Sequence, residues 1–166
     1  MRALVDELRS ESIRHAIQTA SDGSLTHLLI QPADTVELTK EFQDVVYMDS
    51  TYRTNRYSMP LLHVVGQTNT GKSFTIALCF MRTEKSADYL WALQQLKLLT
   101  GGDFQPGVVV TDRELALVNT LAQVYPATSH ILSAWHIAKN ILAKCKAEFP
   151  AVGDERSMSW DEFNLE

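Results

Sequence analysis

Val45–Gly66 reads VVYMDSTYRTNRYSMPLLHVVG, and its reading decides the fold. The apolar β-type run Val45-Val46-Tyr47-Met48 leads into Asp49, and Ser50-Thr51-Tyr52 continues the extended pattern. A polar bend at Arg53–Arg56 separates it from a second apolar run, Leu61-Leu62-His63-Val64-Val65. Two β-rich runs joined by a short polar link predict neighbouring antiparallel strands. Asp49 is the anomaly, because a carboxylate ending an apolar strand is costly to bury unless something binds its charge. Two readings stay open: a satisfied polar residue where the strand meets solvent, or a metal ligand whose partner lies elsewhere in the chain.

Upstream of this stretch, Leu4, Leu8, Ile13 and Ile17 fall loosely at helical spacing and predict a helix within Met1–Ala20. Ser21-Asp22-Gly23-Ser24 is a turn cluster, His27–Gln31 a short β-type run closed by Pro32, and Thr35–Phe42 has helical character. Downstream, Thr68-Asn69-Thr70-Gly71 marks a turn and Phe74–Met81 a third apolar run rich in β-formers.

From Ser86 to Thr100 the period becomes helical, with Ala87, Leu90, Trp91 and Leu98 on one stripe and Gly101-Gly102 as a stop. Val108-Val109-Val110 has the signature of a strand buried on both faces, and ends at Thr111-Asp112. A helix follows with Leu115, Val118, Leu121 and Ala122 on one side, ending before Pro126. His130–Ala134 is a further strand candidate, and Trp135 to about Phe149 a helix. Three strands in a meander followed by α-β-α-β-α units imply one mixed α/β sheet with helices packed on both faces.

A chain of 166 residues that is 45% hydrophobic can build one ordinary domain with a real core. It holds no apolar run long enough to span a membrane, and its first residues lack the apolar core of a signal peptide. The two cysteines, Cys79 and Cys145, form no C-x-x-C unit, which argues against a disulfide scaffold or zinc ribbon and fits a reducing compartment. The net charge of −5 disfavours the whole domain as a nucleic-acid binder but leaves room for a local basic lip beside a cation-filled site.

Two chemical signals compete. Gly66-Gln67-Thr68-Asn69-Thr70-Gly71-Lys72-Ser73 matches the phosphate-loop pattern G-x-x-x-x-G-K-[ST] literally. A working phosphate loop aims the next helix's N-terminus at the phosphates. Here the next residues, FTIALCFM, favour a strand, which would make the octapeptide a hairpin turn with Lys72 in water. The other signal is the pair Asp49 and Asp112, each at the end of an apolar β-run. Two strand-borne carboxylates can converge on one sheet edge and share Mg²⁺ or Mn²⁺, an ion that needs few carboxylates because water and phosphate complete its shell. For Asp112 the plain alternative is helix capping, since Thr111-Asp112-Arg113-Glu114 fits a capping box.

The stretches MDSTYRTNRYSMPLLHVVGQT, SADYLWALQQL, VVVTDRELALVNTLAQVYP and HILSAWHIAKNI, in that order, resemble the transposase domain of Mutator-like elements. The similarity covers roughly residues 25–149. The resemblance implies a ribonuclease H-like fold, nuclear location, and a D-D-E triad whose first two acids map onto Asp49 and Asp112. It also implies that the segment Gly66–Ser73 is a strand-to-strand turn with no required lysine. The family's C-x-x-H motif falls on Ser133-Ala134-Trp135-His136, so His136 is expected near the active site while Ser133 replaces the cysteine. Arg53 and Arg56, close to Asp49, are the expected contacts to DNA phosphates.

The domains expected are a helical and turn segment at 1–24, an incomplete transposase domain at 25–149, and the start of a helical insertion at 150–166. The family's third acid, a glutamate, lies beyond that insertion and matches no residue here. The function expected is metal-dependent DNA cleavage and strand transfer at transposon ends, by a chain lacking its last acid and possible as a homo-oligomer. The alternatives are a domesticated, non-catalytic regulator and a nucleotide-binding protein using Gly66–Ser73.

Overall fold

A computed structural model describes residues 8, 13–51, 55, 57–139 and 141 of the chain. They fall in two compact units, Met1–Ser133 and Ala134–Glu166. The first holds β1 (Arg14–Thr19), β2 (Leu25–Gln31), a short 3-10 turn, α1 (Val36–Glu41), β3 (Val45–Thr51), β4 (Leu61–Gln67) and β5 (Ser73–Phe80). It continues with α2 (Ser86–Leu99), β6 (Val108–Thr111), α3 (Leu115–Val124) and β7 (Ser129–Leu132). The second unit is helical over 134–139 and at Ile141.

The strands form one seven-stranded mixed sheet in the order β1-β2-β5-β4-β3-β6-β7. β3, β4 and β5 are the expected antiparallel meander, and β6 and β7 join it in parallel. Along β3 the faces alternate: Val46 and Met48 are buried, while Tyr47 and Asp49 are exposed. The register lines up Val46 and Met48 with Gly66 and Val64 on β4 and with Val109 and Thr111 on β6, so one face of the sheet is continuously buried. Against it lie Tyr89, Leu93 and Leu96 of α2 and Leu117 and Leu121 of α3, which complete a single core with Phe104 and Tyr125.

The expected helix in Met1–Ala20 is corrected over its second half, where residues 14–19 form β1 and pair antiparallel with β2. Leu8 is helical and buried; the other residues of 1–12 lie outside the described set. The spacing of Ile13 and Ile17 misled because β1 is an edge strand, only half buried, and lacks a strong alternation. The turn at 21–24 closes this hairpin with Gly23 at φ 78°, a left-handed geometry that suits glycine.

The nucleotide-binding reading is also corrected. Lys72 leads directly into strand β5, and residues 68–72 are a hairpin turn, with Thr68 N–H donating to Lys72 O at 2.9 Å and Lys72 exposed. Both glycines of the motif serve the hairpin. Gly71 has φ 78°, and a Cβ on Gly66 would meet the ring of its cross-strand partner Phe74 at 2.5 Å.

A smaller correction concerns α3. Its buried stripe is Leu117, Thr120 and Leu121, whereas Leu115 and Ala122 are exposed.

Candidate functional site

β3 and β6 run parallel, and the last paired residues are Met48 and Thr111. Continuing that register by one residue sets Asp49 beside Asp112, on neighbouring strands spaced roughly 4.8 Å apart. The strand ends that lead into the two aspartates singled out in the sequence are thus neighbours pointing the same way. Asp49 is exposed on the open face and lies directly opposite His63 of β4, whose Nε2 meets Thr75 Oγ1 at 3.0 Å. Asp112 is half buried, and its Oδ1 accepts from Glu114 N–H at 3.2 Å.

The capping box across Thr111 and Glu114 does not form. Glu114 is itself the N-cap of α3, its Oε1 accepting from Ala116 N–H at 3.1 Å. Thr111 instead donates to the Asp112 carbonyl at 2.6 Å and lies 2.8 Å from His130 Nε2. Asp112 thus supports the turn into α3 with one carboxylate oxygen, a role compatible with ligation by the other.

Three groups at this rim are not signalled by the sequence. Ser50, next to Asp49 but on the helix-covered face, donates to Glu84 Oε1 at 2.6 Å. Glu84 stands between β5 and α2, where its only local signal is an acid in a polar connector. Tyr89 of α2 is fully buried, and Ser50 is the hydrogen-bonding side chain that bears on its hydroxyl. Burial chiefly lifts its phenol above the ordinary tyrosine pKa, a hydrogen bond with Ser50 opposes this, and the charges of Glu84, Glu114 and Asp112 lift it further.

Of the other expected site residues, Arg53 and Arg56 lie outside the described set. His136 belongs to the second unit, in the helical residues 134–139, with its ring edge-on to Trp135 at 4.7 Å between centroids. Lys139 Nζ lies 4.8 Å over the same indole. Among the described residues no group of three or more His, Cys, Asp or Glu stands ready to hold a metal ion.

Comparison with known proteins decides the family. The MULE transposase domain matches residues 45–140, over half of the chain. The chain belongs to that family. Its MULE domain contains β3 through β7, hence both rim aspartates.

Among curated relatives, Protein FAR1-RELATED SEQUENCE 11 of Arabidopsis thaliana is 30% identical over 84% of this chain. Protein FAR1-RELATED SEQUENCE 4 of the same plant is 27% identical over 74% of it. The PKS-NRPS hybrid synthetase cheA of Chaetomium globosum is 28% identical over 76%. The matches span 20%, 16% and 3% of those three proteins' own lengths. No described helix is long and apolar enough to cross a membrane.

Proposed function

We propose that this MULE domain is a ribonuclease H-like nucleic-acid-processing core, in which Asp49 and Asp112 hold Mg²⁺ or Mn²⁺ for cleavage and transfer of DNA strands. The observation that supports the reading is the parallel β3–β6 register, whose last pair, Met48 and Thr111, immediately precedes the two aspartates. The antiparallel meander β5-β4-β3, continued by two parallel strands, supports the ribonuclease H-like arrangement. The donor set fits the ion. Carboxylate oxygens suit magnesium and manganese, and both ions accept water in the remaining positions.

A cation held there supplies Lewis-acid polarisation of a phosphodiester and a nucleophilic water. The chain's own residues do the rest. Asp112 is anchored by the Glu114 N–H, Asp49 is exposed to an incoming strand, and Arg53 and Arg56 contact its phosphates. Because the net charge is −5, this contact is local and weakens with salt. A role for His136 and a nuclear location are part of the same proposal.

The test is a nicking assay on supercoiled DNA with Mn²⁺. Cleavage by the wild-type chain, lost in Asp49→Asn and Asp112→Asn and retained in Lys72→Ala, supports the reading. Cleavage that survives both aspartate substitutions contradicts it.

A second reading, a non-catalytic relative acting in DNA-bound regulation or protein association, draws on the plant relatives named FAR1-RELATED SEQUENCE. Its signature is DNA retention without any metal-dependent nicking.

A further inference from the structure

Of the described phenylalanines, tyrosines and tryptophans of the first unit, only Tyr47 and Tyr57 are exposed, at 37% and 67%. Tyr89 and Tyr125 are buried in the core. Both exposed rings belong to the β3–β4 hairpin that carries Asp49. Tyr47 precedes Asp49 by one pleat on the same open face, level with Val65 of β4 and Val110 of β6, and its hydroxyl donates to Gln67 Oε1 at 3.3 Å. Tyr57 stands in the connection to β4, beyond the last β3–β4 pair, Thr51 and Leu61, at the end of the strand where Asp49 lies.

The turn that carries Tyr57 is built by one side chain. Asn55 Oδ1 accepts from the N–H groups of Tyr57 at 3.1 Å and Met59 at 3.2 Å, and its Nδ2 donates to the Met59 carbonyl. The Asn55 carbonyl accepts from Ser58 N–H at 2.9 Å, and Ser58 is held at φ 53°, a left-handed conformation uncommon for a residue with a side chain. Met81 N–H donates to the Pro60 carbonyl at 2.9 Å and ties the exit of the turn to the end of β5. The result is a large ring held out in water by a turn with its own strain, a combination that functional sites store.

A chain of net charge −5 is poorly suited to hold nucleic acid by cations alone. Stacking on an aromatic ring needs no cation and tolerates any base, because every base has a π face. We propose that Tyr57, with Tyr47 on the other side of Asp49 along the hairpin, is a stacking platform for unpaired bases next to the phosphodiester at Asp49, so that the domain takes single-stranded or frayed DNA in preference to intact duplex. This deepens the reading of the domain as a DNA-processing core and rests on it. In a duplex the base faces are stacked on one another and closed to a side chain, so the preference follows from the ring. Asn55 is a positioning residue that acts through Tyr57.

The experiment titrates a labelled single-stranded oligonucleotide, and the duplex of the same sequence, with the 166-residue chain in chelator, following anisotropy at several salt concentrations. Tyr57→Ala is expected to weaken the single strand about tenfold and the duplex less than about twofold. Its slope of affinity against salt stays that of wild type, since stacking releases no counterions. Tyr57→Phe is expected to bind like wild type and Asn55→Ala to fall between the two. Tyr57→Ala binding like wild type, weakening both DNA forms equally, or matched in its loss by Tyr57→Phe overturns the proposal. Nicking that is lost in Asp49→Asn and Asp112→Asn, with single-strand affinity unchanged in Tyr57→Ala, leaves the functional reading standing without it. Nicking that survives both aspartate substitutions, with the single-strand preference lost in Tyr57→Ala, keeps the stacking site and overturns the metal chemistry.

Discussion

At Gly66 the room for a side chain is already taken by the Phe74 ring, which lies across from it in the β4–β5 register. Gly66→Ala is therefore expected to destabilise the fold by about 1–3 kcal/mol, an overpacking cost. Urea unfolding checks this, and the double variant with Phe74→Leu should recover most of the loss. Lys72→Ala is expected to leave stability within ~0.5 kcal/mol, since the exposed lysine contributes its backbone, not its ammonium, to the turn.

The contrast explains why the phosphate-loop match was hard to read from the chain. Its glycines answer to a cross-strand ring and a left-handed turn, and neither requirement is written in the octapeptide itself. The two aspartates were legible for the opposite reason. A charge ending an apolar run stands out locally, whereas the parallel register of the two runs needed three dimensions. Glu84, Ser50 and Tyr89 were not legible, because an acid in a polar connector and a tyrosine in a helix are ordinary until β3 and α2 are packed together.

Among the elements, α2 is locked to the sheet through one carboxylate. Asp88 accepts from His27 Nε2 of β2 at 2.8 Å, from the Thr83 hydroxyl, and from the Lys85 N–H at 3.4 Å, and the His27 ring lies tilted by 39° against Trp91 with centroids 4.8 Å apart. His27 is 6% exposed, so removing its partner strands a buried donor. Asp88→Ala is expected to cost about 1–3 kcal/mol in urea unfolding. A cost below ~0.5 kcal/mol would show that the network only decorates the helix start. The meander, α2, β6 and α3 were readable as elements because apolar runs and turn signals mark them directly, but the buried stripe of α2 is Tyr89, Ala92, Leu93 and Leu96, with the expected Ala87 and Leu98 exposed. β1 was not, because an edge strand with one half-buried face carries little period-two signal, and its place is set by pairing with β2. The stripe of α3 was misassigned for a related reason. Leu115 sits on the exposed side of the first turn, where hydrophobicity alone says nothing about direction.

For the molecule as a whole, the core holds three groups that ionise at high pH. Burial pushes up the Cys79 thiol from its ordinary 9.0, and the Tyr89 and Tyr125 phenols from 10.0. A pKa raised by folding means stability that is complete below the unfolded value and lost as pH climbs towards the folded one. Stability is therefore expected to fall above about pH 9, read as a lower urea midpoint by circular dichroism. A urea midpoint that stays constant as the pH rises through this range would contradict it.

Asp49 and Asp112, following the last paired residues of β3 and β6, are proposed to share one ion. Manganese-soaked crystals, measured by anomalous diffraction, test it most directly. The expected result is a peak at the rim about 2.2 Å from a carboxylate oxygen of both Asp49 and Asp112, a distance suited to octahedral oxygen ligation. A peak bound to only one of them, or manganese binding elsewhere on the chain, would contradict it.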